Sequence, residues 1–235
     1  MIASSLTVKI CGLRTEAAID VAIAAGADAV GFVIAEGSPR FVDAETARRL
    51  IEHTAGRATT VLVTKGLSPE AAASAAYGCG VDVLQVHGFD RPQVERTLEL
   101  FPRVWRATSV SAANLEGGLD SWGEELLLID SPRAGSGERW DLGALHEQRP
   151  SGPWLLAGGL DPDNVAQAVA QAGPTGVDVS SGVESAPGVK DHARIERFVA
   201  NARSTSRGSA DRAETEPNSG KLSSNDDHHF PVARS

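Results

Sequence analysis

The chain has 235 residues, of which 41% are hydrophobic and 23% charged, an ordinary globular composition that supports a sizeable core and excludes collagen-like or wholly disordered readings. Its net charge of −9 argues against a general nucleic-acid binder, which needs clustered Lys and Arg to hold the phosphate backbone. No apolar run reaches the roughly 18–20 residues of a membrane span, and the N-terminus has no basic segment followed by a long apolar stretch, so the expectation is a soluble, cytoplasmic protein that binds neither membrane nor nucleic acid.

Read in chain order, short β-branched runs alternate with Ala-rich or charged stretches of helical period. The runs predict strands at 6–10, 29–34, 59–64, 81–86, 104–108, 125–129, 154–157 and 176–179. Between and after them the pattern predicts helices at 15–25, 44–53, 69–77, 91–100, 162–172 and 191–202, several preceded by a capping Thr, Asp or Ser, with weaker helical signals near 111–119 and 142–147. Eight βα units of roughly 25 residues each over residues 1–203 make a single (β/α)8 TIM barrel. An open doubly wound sheet is the rival fold, but strand one ends in Cys11-Gly12-Leu13-Arg14 where that fold carries a Gly-rich dinucleotide turn. Residues 204–235 are rich in Ser, Asp, Asn, Arg and Glu and bury too little to offset their ordering entropy, so they read as a disordered polar tail.

Active-site groups of parallel barrels collect at the C-terminal ends of the strands. There the sequence places Cys11 after strand one, Gln85 and His87 on strand four, Asp130 after strand six, and Asp178 and Ser180 on strand eight. Strand alternation puts Lys9 with Cys11, Gln85 with His87, Leu128 with Asp130 and Asp178 with Ser180, each pair on one face. A strand cysteine is ordinarily a small buried hydrophobe; here Lys9 on the same face is expected to favour the thiolate, and partial desolvation to raise the Asp130 carboxyl toward general-acid duty. The loops Gly158-Gly159 and Ser180-Ser181-Gly182 suit a phosphate, because glycine amides approach anionic oxygens and Ser hydroxyls donate to them. Arg40, in the loop after strand two, is either a solvated surface residue or a bidentate clamp for a carboxylate. Cys11 and Cys79 form no disulfide framework, Cys79 reads as structural, and no Cys/His cluster has the spacing of a metal site; the neighbouring His228 and His229 read as incidental.

Across residues 6 to 202 these segments resemble phosphoribosylanthranilate isomerase of tryptophan biosynthesis. The likeness is carried by Lys9-Ile10-Cys11-Gly12-Leu13, Ser38-Pro39-Arg40-Phe41-Val42, Leu84-Gln85-Val86-His87-Gly88, Leu128-Ile129-Asp130-Ser131, Leu156-Ala157-Gly158-Gly159-Leu160 and the run from Gly176 to Glu184, followed by Pro187-Gly188-Val189-Lys190-Asp191. The resemblance implies an Amadori rearrangement of a phosphorylated amino sugar without metal or organic cofactor, with Asp130 as acid and Cys11 as base. It further implies that Arg40 holds the substrate carboxylate, that Asp178 meets a sugar hydroxyl, that Gln85 and His87 shape the pocket, and that Gly158, Gly159, Ser180, Ser181 and Gly182 hold the phosphate. A monomer or a homodimer is expected. The loop after Asp130 departs from the family pattern: Ala134-Gly135-Ser136-Gly137 and Trp140-Asp141-Leu142 stand where Gly-Gly-Thr-Gly and Phe-Asp-Trp are common.

Two other functions compete. A bifunctional phosphoribosyl isomerase of the histidine and tryptophan pathways shares the barrel, but that family uses Asp at the strand-one position where this chain has Cys11. A noncatalytic phosphoribosyl-ligand sensor would keep the pocket, but would have no need of both Cys11 and Asp130.

Overall fold

The computed structural model describes residues 6–109, 119–130 and 150–213. Eight parallel strands close into a barrel in sequence order: β1 (Thr7–Cys11), β2 (Ala29–Ile34), β3 (Thr59–Lys65), β4 (Val83–His87), β5 (Val104–Ser109), β6 (Leu126–Asp130), β7 (Trp154–Leu156) and β8 (Gly176–Val179). The seam is made by β1 and β8, with Lys9 opposite both Asp178 and, on its other side, Ala29. Helices α1 (Glu16–Ala25), α2 (Ala44–Thr54), α3 (Pro69–Cys79), α4 (Arg91–Leu100), α5 (Val165–Ala172) and α6 (His192–Ala213) accompany the strands. Their starts are fixed by side chains that accept otherwise orphaned amides: Thr15 from Ala18, Asp43 from Thr46, Ser68 from Ala71, and Asp90 from Gln93 in a full capping box.

The strand period of two sorts the side chains into two cores. Val8, Ile10, Val30, Phe32, Leu62, Leu84, Val86 and Ile129 face outward into the layer shared with the helices. Ala29, Val61, Val83, Trp105, Leu126, Leu128 and Leu155 fill the barrel interior. A barrel of eight strands is just wide enough to be filled this way, so the space that remains for chemistry is at the mouth.

Every predicted strand is found, with shifts at the ends. Strands β1, β4 and β6 each reach one residue further than the apolar runs, to Cys11, His87 and Asp130. β4 begins at Val83 because Asp82 turns its carboxylate back to the amide and hydroxyl of Thr60, at 2.8 Å each. α5 begins at Val165 because Asp161 accepts the amides of Asp163 and Asn164 and holds the preceding residues in a turn. The weaker helical signals near 111–119 and 142–147 fall, except for Leu119, outside the described residues. α6 runs on to Ala213, ten residues past the boundary drawn from composition at 203. Extending a nucleated helix costs little, and Ser204 and Thr205 donate to the carbonyls of Asn201 and Ala202 at 2.7 Å. An unforeseen feature follows β8: a single 3-10 turn, Ser181–Val183, leads into a hairpin of β9 (Glu184–Ala186) and β10 (Val189–Lys190).

On the outward face of β5 an ion pair takes the place of an apolar contact. The buried Arg106 meets Glu124 at 2.8 Å, donates to the carbonyl of Asp120, and stacks its guanidinium 3.8 Å from the ring centre of Trp122. Glu124 also accepts the amide of Trp122 at 2.6 Å, so the pair ties residues 120–124 to the barrel wall. Removing one partner strands the other charge in a dry site. Arg106→Ala is therefore expected to lower the unfolding free energy by about 3–5 kcal/mol, read from urea titrations followed by circular dichroism.

Candidate active site

The residues expected at the mouth lie on inward-facing positions. Cys11, His87 and Asp130 are the last residues of β1, β4 and β6; Leu126 and Leu128, two and four residues before Asp130, belong to the interior core. Asp178 faces inward from β8, and Ser180 follows that strand directly. β6 lies three strands from β1 around the closed barrel, by way of β8 and β7, so Cys11 and Asp130 both end at its rim.

Beneath Cys11 lies a buried ion pair. Lys9 is fully buried, and its ammonium donates to Asp178 Oδ1 at 2.7 Å. Burial pulls the lysine down, but Asp178 and Cys11 together outweigh it and hold Lys9 above the ordinary lysine value. Cys11 goes the other way from expectation. Burial pushes its thiol above the ordinary cysteine range, and the opposing charges of Lys9 and Lys190 do not overcome that. Lys9 does favour the thiolate by its charge and a hydrogen bond, but burial outweighs it, and Asp178 disfavours a second anion next door.

Arg40 is neither a free clamp nor a solvated surface residue. Its Nε and Nη2 donate to the two oxygens of Glu184 at 2.9 and 2.8 Å, a fork-on-fork pair that leaves Nη1 without a hydrogen bond among the described residues. Glu184 also accepts Lys190 Nζ at 2.8 Å and the Gly188 amide at 3.1 Å. Burial raises the Glu184 carboxyl, but the hydrogen bonds from Arg40 and Lys190, the Lys190 charge and the Gly188 amide together bring it down to about 2. Glu184 and Lys190 were not among the residues singled out from the sequence. A signal was there: the Pro187-Gly188 turn folds Lys190 back opposite Glu184 in a two-stranded register.

The two glycine loops meet. Gly158 and Gly159 adopt left-handed backbone, with φ of 81° and 66°, and Asn164 Nδ2 donates to the Gly159 carbonyl at 2.7 Å. A Cβ on Gly182 would sit 1.9 Å from the Leu160 carbonyl oxygen, so the loop after β8 packs backbone-on-backbone against the loop after β7. The amides of Gly158, Gly159, Ser181 and Gly182 donate to no described residue, a concave set of N–H groups suited to an anion. The Ser180 hydroxyl donates to the Cys11 carbonyl at 3.1 Å.

Deeper in the mouth, Gln85 Oε1, His87 Nδ1 and Trp105 Nε1 are buried without a hydrogen-bond partner. Burial, with a smaller push from Lys65, lowers the His87 imidazole below its ordinary value, so it is neutral at pH 7. Cys79 lies at the end of α3, its thiol 3.6 Å from the Ala44 carbonyl. Among the described residues no group of three or more His, Cys, Asp or Glu is arranged to hold a metal ion.

Comparison with known proteins adds a single theme. The family model for N-(5'phosphoribosyl)anthranilate (PRA) isomerase matches residues 8–201. An N-(5'-phosphoribosyl)anthranilate isomerase of Erythrobacter litoralis is 43% identical over 206 residues, covering 83% of this chain and 98% of its own. The crystal structure of TrpF from Jonesia denitrificans superposes with a TM-score of 0.79 at 49% identity, covering 86% of this chain and 98% of its own. A phosphoribosyl anthranilate isomerase in complex with reduced 1-(o-carboxyphenylamino)-1-deoxyribulose 5-phosphate superposes with a TM-score of 0.74 at 31% identity, covering 85% of this chain and 99% of its own.

Two outcomes follow from this geometry. Gly182→Ala forces the two loops apart, and a loss of at least about 2 kcal/mol in stability, with weakened binding of phosphorylated ligands, is expected in thermal melts and titration calorimetry. Glu184 has its folded value depressed from 4.5 to about 2, so its stabilisation is present above 4.5 and disappears as pH falls toward 2. The gap in unfolding free energy between the native chain and Glu184→Gln, about 1–3 kcal/mol at neutrality, is expected to close over that acid range in denaturant titrations.

Proposed function

Because the chain belongs to the N-(5'-phosphoribosyl)anthranilate isomerase family, we propose that Cys11 and Asp130 carry its reaction as base and acid across the barrel mouth. The reaction is the Amadori rearrangement of N-(5'-phosphoribosyl)anthranilate to 1-(2-carboxyphenylamino)-1-deoxyribulose 5-phosphate, an aldose–ketose isomerisation of tryptophan biosynthesis.

In this reading Asp130 gives a proton to the furanose ring oxygen as the C1–O bond breaks and the amine lone pair forms the C=N bond. The cationic imine acidifies the C2 proton, which the Cys11 thiolate removes, and the electron pair moves to nitrogen to give the enolamine. Protonation at C1 and loss of the enol proton complete the ketone. Both groups then only have to be positioned, because the imine supplies the activation that two modest side chains lack.

The remaining contacts follow from the groups left with hydrogen-bonding capacity. Arg40 presents Nη1 to the anthranilate carboxylate while Glu184 holds the other side of the guanidinium. Asp178 offers Oδ2 to a sugar hydroxyl, its Oδ1 being taken by Lys9. Gln85 and the neutral His87 turn their unpartnered atoms to the substrate. Gly158, Gly159, Ser181 and Gly182 enclose the phosphate through their amides, and Ser180 positions that loop while its hydroxyl is engaged elsewhere. We place the enzyme in the cytoplasm as a monomer or homodimer; no described helix is long and apolar enough to cross a membrane.

The observation that supports the assignment of roles is that Cys11 and Asp130 are both inward-facing last residues of barrel strands, β1 and β6. Cys11→Ser and Asp130→Asn are each expected to lower kcat for N-(5'-phosphoribosyl)anthranilate by about 10²–10⁴-fold with unchanged circular dichroism. Turnover near the native rate in either variant removes that residue from the mechanism.

A further inference from the structure

An ammonium leaves its hydration shell when it is buried, so each buried lysine needs acceptors in its place. The barrel mouth holds two such lysines. Lys9 is paired with Asp178 within the wall and also bears on Cys11. Lys190 comes from β10, outside the wall, and its side chain is only 3% exposed. Its ammonium donates to the Ser180 carbonyl at 2.8 Å, to Ser180 Oγ at 3.3 Å and to Glu184 Oε1 at 2.8 Å. Ser180 Oγ in turn donates to the Cys11 carbonyl, so one hydroxyl separates the ammonium from the end of β1.

The charges that face Cys11 are Lys9 from its own strand, Asp178 from β8, Lys190 from β10 and Arg40 from the loop after β2, with Glu184 of β9 bound to the last two. Lys9 favours the thiolate by its charge and a hydrogen bond, and Asp178 offsets part of that. Glu184 is shared between Arg40 and Lys190, and one carboxylate neutralises only one of those cations. The trio of Arg40, Glu184 and Lys190 therefore leaves one positive charge, and of its two cations Lys190 is the one that bears on Cys11 through Ser180.

We infer that Lys190 is a positioning residue for the Cys11 base: through Ser180 it fixes the end of β1, and its charge, half answered by Glu184, stabilises the thiolate that removes the substrate proton. The inference deepens the reading of Cys11 as the base. It also accounts for how a thiol disfavoured by burial performs that task without a resting contact to an unpaired cation.

The test titrates the Cys11 thiolate by its ultraviolet absorbance in the full chain without substrate, in a Cys79→Ala background that leaves Cys11 as the single cysteine. Lys190→Met is expected to move the midpoint upward by about one pH unit, a tenfold loss of thiolate at fixed pH. Lys190→Arg restores it toward the native value, and the ascending limb of kcat/KM against pH moves in parallel. Glu184→Gln, which removes the shared anion, is expected to move the midpoint the opposite way. Loosened structure would shift both variants in one direction, so equal shifts, or an unmoved midpoint in folded Lys190→Met, overturn the inference. The titration needs no turnover, whereas native activity in Cys11→Ser would overturn the reading of the base itself, so the two failures are distinguishable.

Discussion

A lysine sealed into a barrel wall has to be answered by an anion, and Asp178 on the adjoining strand answers Lys9 at 2.7 Å. The pair bridges β1 and β8, the strands whose pairing closes the barrel. It also lies two residues below Cys11 on one side and Ser180 on the other, so strand alternation sets the heights of both at the rim. Such a pair is worth little against a well-packed apolar alternative, yet losing one partner leaves an expensive orphan charge. Its value here is positional: it sets what stands next to the thiol, with Lys9 favouring the thiolate and Asp178 opposing it.

The rest of the mouth is arranged around that limitation. Above the pair, the hairpin after β8 supplies Glu184 and Lys190, and the loop after β2 supplies Arg40. Glu184 therefore ties a strand-two loop to a strand-eight hairpin, 144 residues apart in sequence. Next to them, the contact of Gly182 with the Leu160 carbonyl makes the loops after β7 and β8 a single unit. Segments at three places on the rim are thus coupled by short polar or backbone contacts, above the apolar interior core.

Much of this was legible in the sequence because alternation and punctuation are local. Strands at 29–34 and 176–179 and the helix at 91–100 coincide with the elements observed, and the inward parity of Lys9, Cys11, Gln85, Asp130 and Asp178 followed from a period of two. What was missed depends on contacts between distant segments. Nothing near Arg40 announces that Glu184 will take its fork, and nothing near Lys9 says whether its charge will serve Cys11 or Asp178. Local pairing rules read a cation beside a thiol as activation; the net outcome required the burial of Cys11 and the Asp178 carboxylate from another strand. The hairpin of β9 and β10 was passed over because strands of three and two residues are too short to show a period.

The Arg40–Glu184 fork has one more consequence. A free arginine gives up rotamer entropy when it captures a ligand, which weakens the capture. Arg40 has surrendered that freedom during folding, since two of its nitrogens are already held. Whatever anion this edge is offered meets a guanidinium whose rotamer cost has already been met in folding.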